Sequence, residues 1–250
     1  MKGVVVKSKA TFVVSLSILL TCNFFSFSSP AVAQNPQVQQ RVAEIREAAA
    51  RNKQALAQYT WVEQVTISLK GEEKKKEHFQ VRLGPDGKPQ KTSLDPSPPP
   101  PSSDSVGGRR GSRLKEHVVE KKKEEYKDYA DQIRALIEQY VPPDKEMLEH
   151  AYQKGNVKLS EEAGSPGQYR LVISNYVKNG DNMALLIDRT QRDLAGISIN
   201  SYLDDPKDVV NVNVQFSGIP GGPNHVSAET INGVSKQLTI NIQNGNYQKL

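Results

Sequence analysis

The sequence predicts an α+β fold in which an antiparallel β-sheet follows an N-terminal helix and is interrupted by a helical insertion. Apolar residues recur at helical spacing over residues 36–57, which follow an Asn-Pro start favourable to a helix. After Asn156 the chain consists of short Val- and Ile-rich runs separated by Gly, Pro, Asn or Asp. A second helical pattern lies between the first strands and this region, over residues 114–154. We expect one domain over residues 34–250.

The first 33 residues have the composition of a secretory signal peptide. Lysines at positions 2, 7 and 9 precede an apolar run over residues 11–20, and Ala-Val-Ala at 31–33 offers small residues to a signal peptidase. The apolar run is shorter than the about 20 residues that a permanent span requires, although an uncleaved anchor is the alternative. The leader predicts cleavage after Ala33 and a periplasmic or secreted protein.

The charge and cysteine content of the exported chain limit the classes of partner and metal site that it can have. The leader contains three lysines and no acidic residue, so its removal lowers the formal charge from +5 to +2. Charge therefore gives no indication of a nucleic-acid partner. Cys22 is the only cysteine and lies in the leader, so the mature chain forms no disulfide or thiolate metal site. The preceding Leu-Leu-Thr faintly resembles a bacterial lipobox, which leaves lipidation of Cys22 open.

Alternation of apolar and polar residues predicts strands with one buried face. Residues 61–69 and 79–83 alternate in this way and are separated by a turn at 71–76. The clearest alternation is Val-Asn-Val-Asn-Val-Gln-Phe at 210–216. Connections as short as residues 189–193 cannot hold a crossover helix, so the strands form an antiparallel meander. The later strands are predicted at 157–160, 168–177, 183–188, 194–202, 209–217, 224–231 and 236–243.

The segment between the two groups of strands divides into a loop and a helical insertion. Residues 92–113 are rich in Pro, Ser and Gly, and they predict a mobile loop because they bury too little apolar surface to offset their ordering entropy. An Arg pair at 109–110 could touch an anionic surface, although a solvated loop is the simpler interpretation. The helical insertion then covers residues 114–154, and Pro-Pro at 142–143 ends its first helix.

The sequence contains no motif of a known catalytic or metal site. It has no Gly-rich phosphate loop, no Gly-x-Ser-x-Gly elbow and no His-Glu-x-x-His pair. The four histidines lie on different predicted elements, and the acidic loop at 204–208 lacks the ligand spacing of a calcium site. Glu63 stands among apolar residues, where it titrates as an acid, pairs with a Lys or Arg, or lies at a rim. We predict no enzymatic activity, no cofactor and no metal; a hydrolase would need a His beside a Ser or carboxylate in a cleft.

Two later segments, together with the order of the elements, resemble a known family. Residues 184–197 form a hairpin in which one strand ends at Asp188 and the turn contains Thr190, and Val-Gln-Phe at 214–216 is followed by Ile-Pro at 219–220. An exported chain with this order resembles the periplasmic lipoprotein-carrier (LolA/LolB-like) superfamily. The resemblance implies a half-barrel, in which a curved sheet has an apolar concave face and the inserted helices act as a lid.

The resemblance implies a carrier or sensor that binds lipid or lipoprotein acyl chains, with transient membrane contact. Each buried methylene contributes about 0.8 kcal/mol, so part of one chain suffices for binding. The alternatives are a filled core without a ligand, and a non-enzymatic envelope module that binds a protein or glycan partner. The candidate lid residues are Tyr129, Ile133 and Leu136. The candidate lipid-binding residues are Trp61, Val65, Ile67, Phe79, Val81, Val212, Val214 and Phe216.

Overall fold

The structure is a computed structural model that describes residues 47–96 and 111–250, except residues 49 and 192 and the side chains of residues 111–119 and 145. The predicted signal peptide, its cleavage site and Cys22 lie outside the described residues, as do residues 97–110 of the predicted mobile loop. Among the helices that are described, none is long and apolar enough to cross a membrane.

The described chain starts in a helix, α1, which ends at residue 56. The two inserted helices are α2 (Gly111–Ile137) and α3 (Lys145–Gln153), and the side chain of Asp144 caps α3 by accepting from the Met147 amide at 2.9 Å. The strands are β1 (Tyr59–Leu69), β2 (Glu72–Leu83), β3 (Pro89–Ser93), β4 (Val157–Glu161), β5 (Gln168–Ser174), β6 (Asn182–Asp188), β7 (Asp193–Tyr202), β8 (Val209–Gly218), β9 (Asn224–Gly233) and β10 (Leu238–Lys249).

In the described part of the chain these ten strands form one antiparallel sheet in the order β3-β2-β1-β10-β9-β8-β7-β6-β5-β4. Each strand pairs with its neighbour in sequence, apart from β3 and β4, and the last strand returns beside β1. The predicted α+β class, with an antiparallel meander, an N-terminal helix and inserted helices, is confirmed.

The chain order explains why the helices lie across the sheet. β3 and β4 are consecutive strands but occupy opposite edges, which are nine strand spacings, or about 43 Å, apart in a flat sheet. The insertion between them must therefore cross the sheet, and α2, with 27 residues, is about 40 Å long. The second half of α2 packs into the core through Ile133 and Leu136.

The sheet is curved and buries one face, which we call the inner face. Side chains as far apart in strand order as Val81 of β2 and Ile173 of β5 belong to one core cluster with Ile133 of α2. A flat sheet of this width could not be covered by helices of about 10 Å diameter, so the sheet must wrap around them. The predicted half-barrel is confirmed.

Two boundaries differ from the sequence predictions. The turn after β1 contains only Lys70 and Gly71, both with positive φ (54° and 79°), whereas the charged residues that follow belong to β2. The predicted loop at 92–113 overlaps β3 at residues 92–93 and α2 from residue 111.

Candidate functional site

One row of inner-face side chains crosses the sheet through seven strands. Cross-strand pairing joins Val65 to Ile242, Ile242 to Glu229, and Glu229 to Val214. The row continues through Ile197, Leu185 and Leu171. All seven residues are buried, and six of them are aliphatic. The inner face is thus an apolar strip with a single acidic residue in its middle strands.

The eight candidate lipid-binding residues all belong to the core cluster or pack against it. Val81, Val212, Val214 and Val65 are at most 2% exposed. The other four are buried Trp61 and Phe79 and partly buried Ile67 and Phe216. Their contacts are the packing contacts of a core, so their role toward a lipid stays a prediction.

The second half of α2 covers the sheet at the end formed by the β1–β2, β5–β6, β7–β8 and β9–β10 turns, which we call the lower end. Tyr129, Ile133 and Leu136, the candidate lid residues, are all buried there. The Tyr129 hydroxyl donates to Asp208 at 2.7 Å and lies 3.1 Å from the Ser235 hydroxyl. Burial raises the pKa of Tyr129 to about 12.

A second tyrosine, just after α2, joins the insertion to the lower end. The buried hydroxyl of Tyr140 donates to Asp181 at 2.5 Å and lies 2.7 Å from the Ser201 hydroxyl. The Asp181 carboxylate also accepts from the backbone amides of Tyr176 and Lys178, each at 2.6 Å. Burial, reinforced by the hydrogen bond to Asp181, raises the pKa of Tyr140. Side-chain hydrogen bonds thus attach the insertion to the loops of the sheet.

The opposite end, which we call the upper end, lies under α1. The Asn52 side chain donates to Asp193 at 2.9 Å and accepts from the Asn224 backbone amide at 3.1 Å. Lys53 crosses the β2–β3 turn so closely that a Cβ at Gly87 would lie 2.7 Å from its Cε. The two described ends of the inner face are therefore covered by different helices.

Glu63 forms a buried ion pair with Lys91 of the edge strand β3. The two side chains are 3% and 6% exposed, and the Lys91 ammonium lies 5.8 Å from the centre of the Phe79 ring. Of the alternatives for Glu63, pairing with a basic residue is therefore confirmed. Lys91 was not identified from the sequence, because nothing in its polar strand indicates that it points inward.

Glu229 is the acidic residue of the apolar row and was also missed by the sequence analysis. It is 3% exposed, and its Oε1 atom has no hydrogen-bond partner among the described residues. Burial, together with the negative charge of Glu63, raises its pKa to about 8 against the opposing effect of Lys91. Its burial could have been predicted from the sequence, because Glu229 lies two residues before the buried Ile231 and therefore on the same face of β9.

Aromatic residues surround this region toward the upper end. Trp61 stacks on Tyr247 with ring centres 5.6 Å apart, and its indole N–H donates to Asn244 at 3.1 Å. The His225 ring lies 4.0 Å from that of Tyr247. The His225 Nε2 atom is 3.3 Å from the Ser217 hydroxyl, but its buried Nδ1 has no partner among the described residues. Within the described part of the chain no carboxylate orients this imidazole, so the pair has no third member of a hydrolase triad there.

The remaining sequence candidates have structural contacts. His78 lies 3.0 Å from the Asp95 carboxylate and 3.3 Å from the Gln64 side-chain oxygen. In the acidic loop at 204–208, Asp208 is a partner of Tyr129. No group of His, Cys, Asp or Glu within the described residues is arranged to hold a metal ion.

The chain is similar in structure to two solved proteins. One is a DUF1329 family protein from Desulfovibrio piger, with 12% identity over 83% of this chain and 92% of that chain and a TM-score of 0.40. The other is the LolA superfamily protein NE2245 from Nitrosomonas europaea, with 7% identity over 84% and 93% of the two chains and a TM-score of 0.36. No family model and no curated protein matches the sequence.

Proposed function

We propose that this protein is exported and binds the acyl chain of a lipid or lipoprotein on the inner face of its sheet, as a carrier or a sensor. The observation that supports this most directly is the apolar row from Val65 to Leu171, which is covered by helices rather than by a second sheet. A helical cover held by side-chain hydrogen bonds can move aside without breaking the pairing of any strand. Trp61, Ile67, Phe79, Val81, Val212 and Phe216 extend the same surface.

The binding energy comes from the burial of methylene groups. Each contributes about 0.8 kcal/mol, which corresponds to about fourfold in affinity. An extended row across several strands therefore favours an unbranched chain, whose affinity increases with its length. The leader with its Ala-Val-Ala site supports action in the periplasm or outside the cell.

A homologous series of alkanols tests this proposal without any mutation. We expect the dissociation constants of octanol, nonanol, decanol, undecanol and dodecanol, measured by calorimetry on the mature chain 34–250, to fall about fourfold per methylene. Native mass spectrometry of the same protein, purified from the periplasm without detergent, should detect a lipid adduct. A series that does not bind, together with an adduct-free mass, would refute lipid binding and favour an envelope module that recognises a protein or glycan.

Two substitutions on one strand locate the binding face. Val214 points to the inner face and is 2% exposed, whereas Asn213 is exposed on the outer face. The change V214T should weaken dodecanol binding because it places a hydroxyl in the apolar row, and N213T should leave binding unchanged. Equal binding by both variants would place the ligand elsewhere.

A further inference from the structure

The buried Glu63–Lys91 pair has a structural explanation. Lys91 lies on β3, which is an edge strand of the sheet in the described residues. An inward-pointing charge on such a strand opposes pairing with another molecule, and Glu63 neutralises that charge. The pair is therefore explained by protection of the sheet edge and needs no ligand.

Glu229 has no such explanation. It lies on β9, between β8 and β10, and far from either edge of the sheet. Its immediate cross-strand partners, Ile242 and Val214, are aliphatic, and its Oε1 atom has no hydrogen-bond partner among the described residues. Buried polar atoms are nearly always paired, so an unpaired carboxyl oxygen in a dry strip indicates a group that is partnered in another state.

The charges around Glu229 determine which partner fits. Glu63 and Glu229 contribute two carboxyl groups, whereas Lys91 contributes one ammonium. With both carboxyl groups ionised the cluster has one uncompensated negative charge. One ammonium group restores neutrality, whereas an anionic head group would increase the imbalance. We propose that Glu229, beside the Glu63–Lys91 pair, binds the ammonium group of an amphiphile whose alkyl or acyl chain lies along the inner face.

This inference rests on the proposed function and specifies the head group of its ligand. Two other titratable side chains toward the upper end, those of His225 and Tyr247, do not compete for an ammonium group. Burial lowers the pKa of His225 and raises the pKa of Tyr247, so both are neutral near pH 7. Lys53 of α1 lies over the β2–β3 turn at Gly87. Without a ligand Glu229 retains its proton near pH 7, and it gives up that proton to solvent when the ammonium group binds.

Three probes of equal chain length test the inference on the mature chain: dodecylammonium, dodecanol and dodecanoate. By calorimetry, dodecylammonium should bind at least about tenfold more tightly than dodecanol, the factor expected for one charged hydrogen bond. Its affinity should increase with pH between about 6 and 8, with a proton released to the buffer, because Glu229 must ionise. Dodecanol binding should not depend on pH.

The variant E229Q should lose the preference for the ammonium head group and the proton release but retain dodecanol binding. E161Q, at an exposed carboxyl on β4, is the matched control and should behave as the wild type. Equal binding of the three probes, a preference for dodecanoate, or an ammonium preference that survives in E229Q would overturn the inference and leave the proposed function standing. If none of the three probes binds and native mass spectrometry shows no lipid adduct, both the inference and the proposed function are refuted. The wild-type pH profile and proton release need no variant, so the test remains decisive even if E229Q folds poorly.

Discussion

Replacing Glu229 with Gln should stabilise the protein at alkaline pH. In the unfolded chain this carboxyl has its ordinary pKa of 4.5, whereas burial raises the pKa to about 8 in the folded protein. The folded state therefore holds its proton more tightly than the unfolded state between these values. The stability that this group contributes is fully present below pH 4.5 and is lost as the pH rises to about 8.

The size of the effect follows from the two pKa values. Each unit of difference corresponds to about 1.4 kcal/mol, so a difference of about 3.5 units corresponds to ~5 kcal/mol. Gln has nearly the same volume and does not ionise. The free energy of unfolding of E229Q relative to the wild type should therefore increase by as much as ~5 kcal/mol between pH 4.5 and pH 8.5.

Urea unfolding followed by tryptophan fluorescence measures this difference. Trp61 is the only tryptophan of the chain and is 6% exposed, so it reports the loss of the core. Measuring both proteins at each pH removes the contribution of every other titrating group. E161Q, at an exposed carboxyl, should differ from the wild type by the same small amount at every pH. A flat E229Q difference, or one that decreases toward pH 8.5, would refute the assignment of a neutral, buried Glu229.

Two further substitutions test how the helical insertion is held. The change D181A removes the buried acceptor of the Tyr140 hydroxyl and of backbone amides. The free energy of unfolding, measured in urea, should fall by about 3 kcal/mol or more. A fall below about 1 kcal/mol would show that water replaces the carboxylate. The change G233A should cost about 1–3 kcal/mol, because a Cβ there would lie 2.5 Å from Cε1 of Tyr129 and displace α2. In the control G218A nothing lies within 4 Å of the added Cβ, so the free energy of unfolding should change by less than about 0.5 kcal/mol. Equal losses in the two variants would contradict close packing of α2 at Gly233.

The fold could be predicted from the sequence wherever burial of one face produces an alternation of apolar and polar residues. Strands such as β8 alternate completely because one face is in the core and the other is in water. The first part of β2 and the whole of β3 were missed for the opposite reason. Their residues pair through the backbone with β1 and β2, but most of their side chains are exposed and show no alternation.

Less of the candidate site could be predicted from the sequence, because its contacts join residues that are far apart in the chain. Glu63 was recognised as unusual on local grounds, but its partner is on β3 and its second charged neighbour is on β9. No local pattern indicates that β10 pairs with β1 and brings β9 near these residues. The burial of Tyr129, Ile133 and Leu136, the candidate lid residues, was predictable because they recur at helical spacing, which is a local signal.

The stability cost of Glu229 distinguishes it from two other buried acidic residues, Asp181 and Glu63. The cost of burying the Asp181 carboxylate is offset by hydrogen bonds from the backbone and from Tyr140, and that of Glu63 by the ammonium group of Lys91. The raised pKa of Glu229 corresponds to a loss of up to ~5 kcal/mol at alkaline pH, and Glu229 makes no compensating bond through Oε1 within the described chain. An aliphatic residue at this position would complete the row between Ile242 and Val214 without that loss. The acidic group is therefore explained by a state in which it has a partner, and a bound ammonium group supplies one.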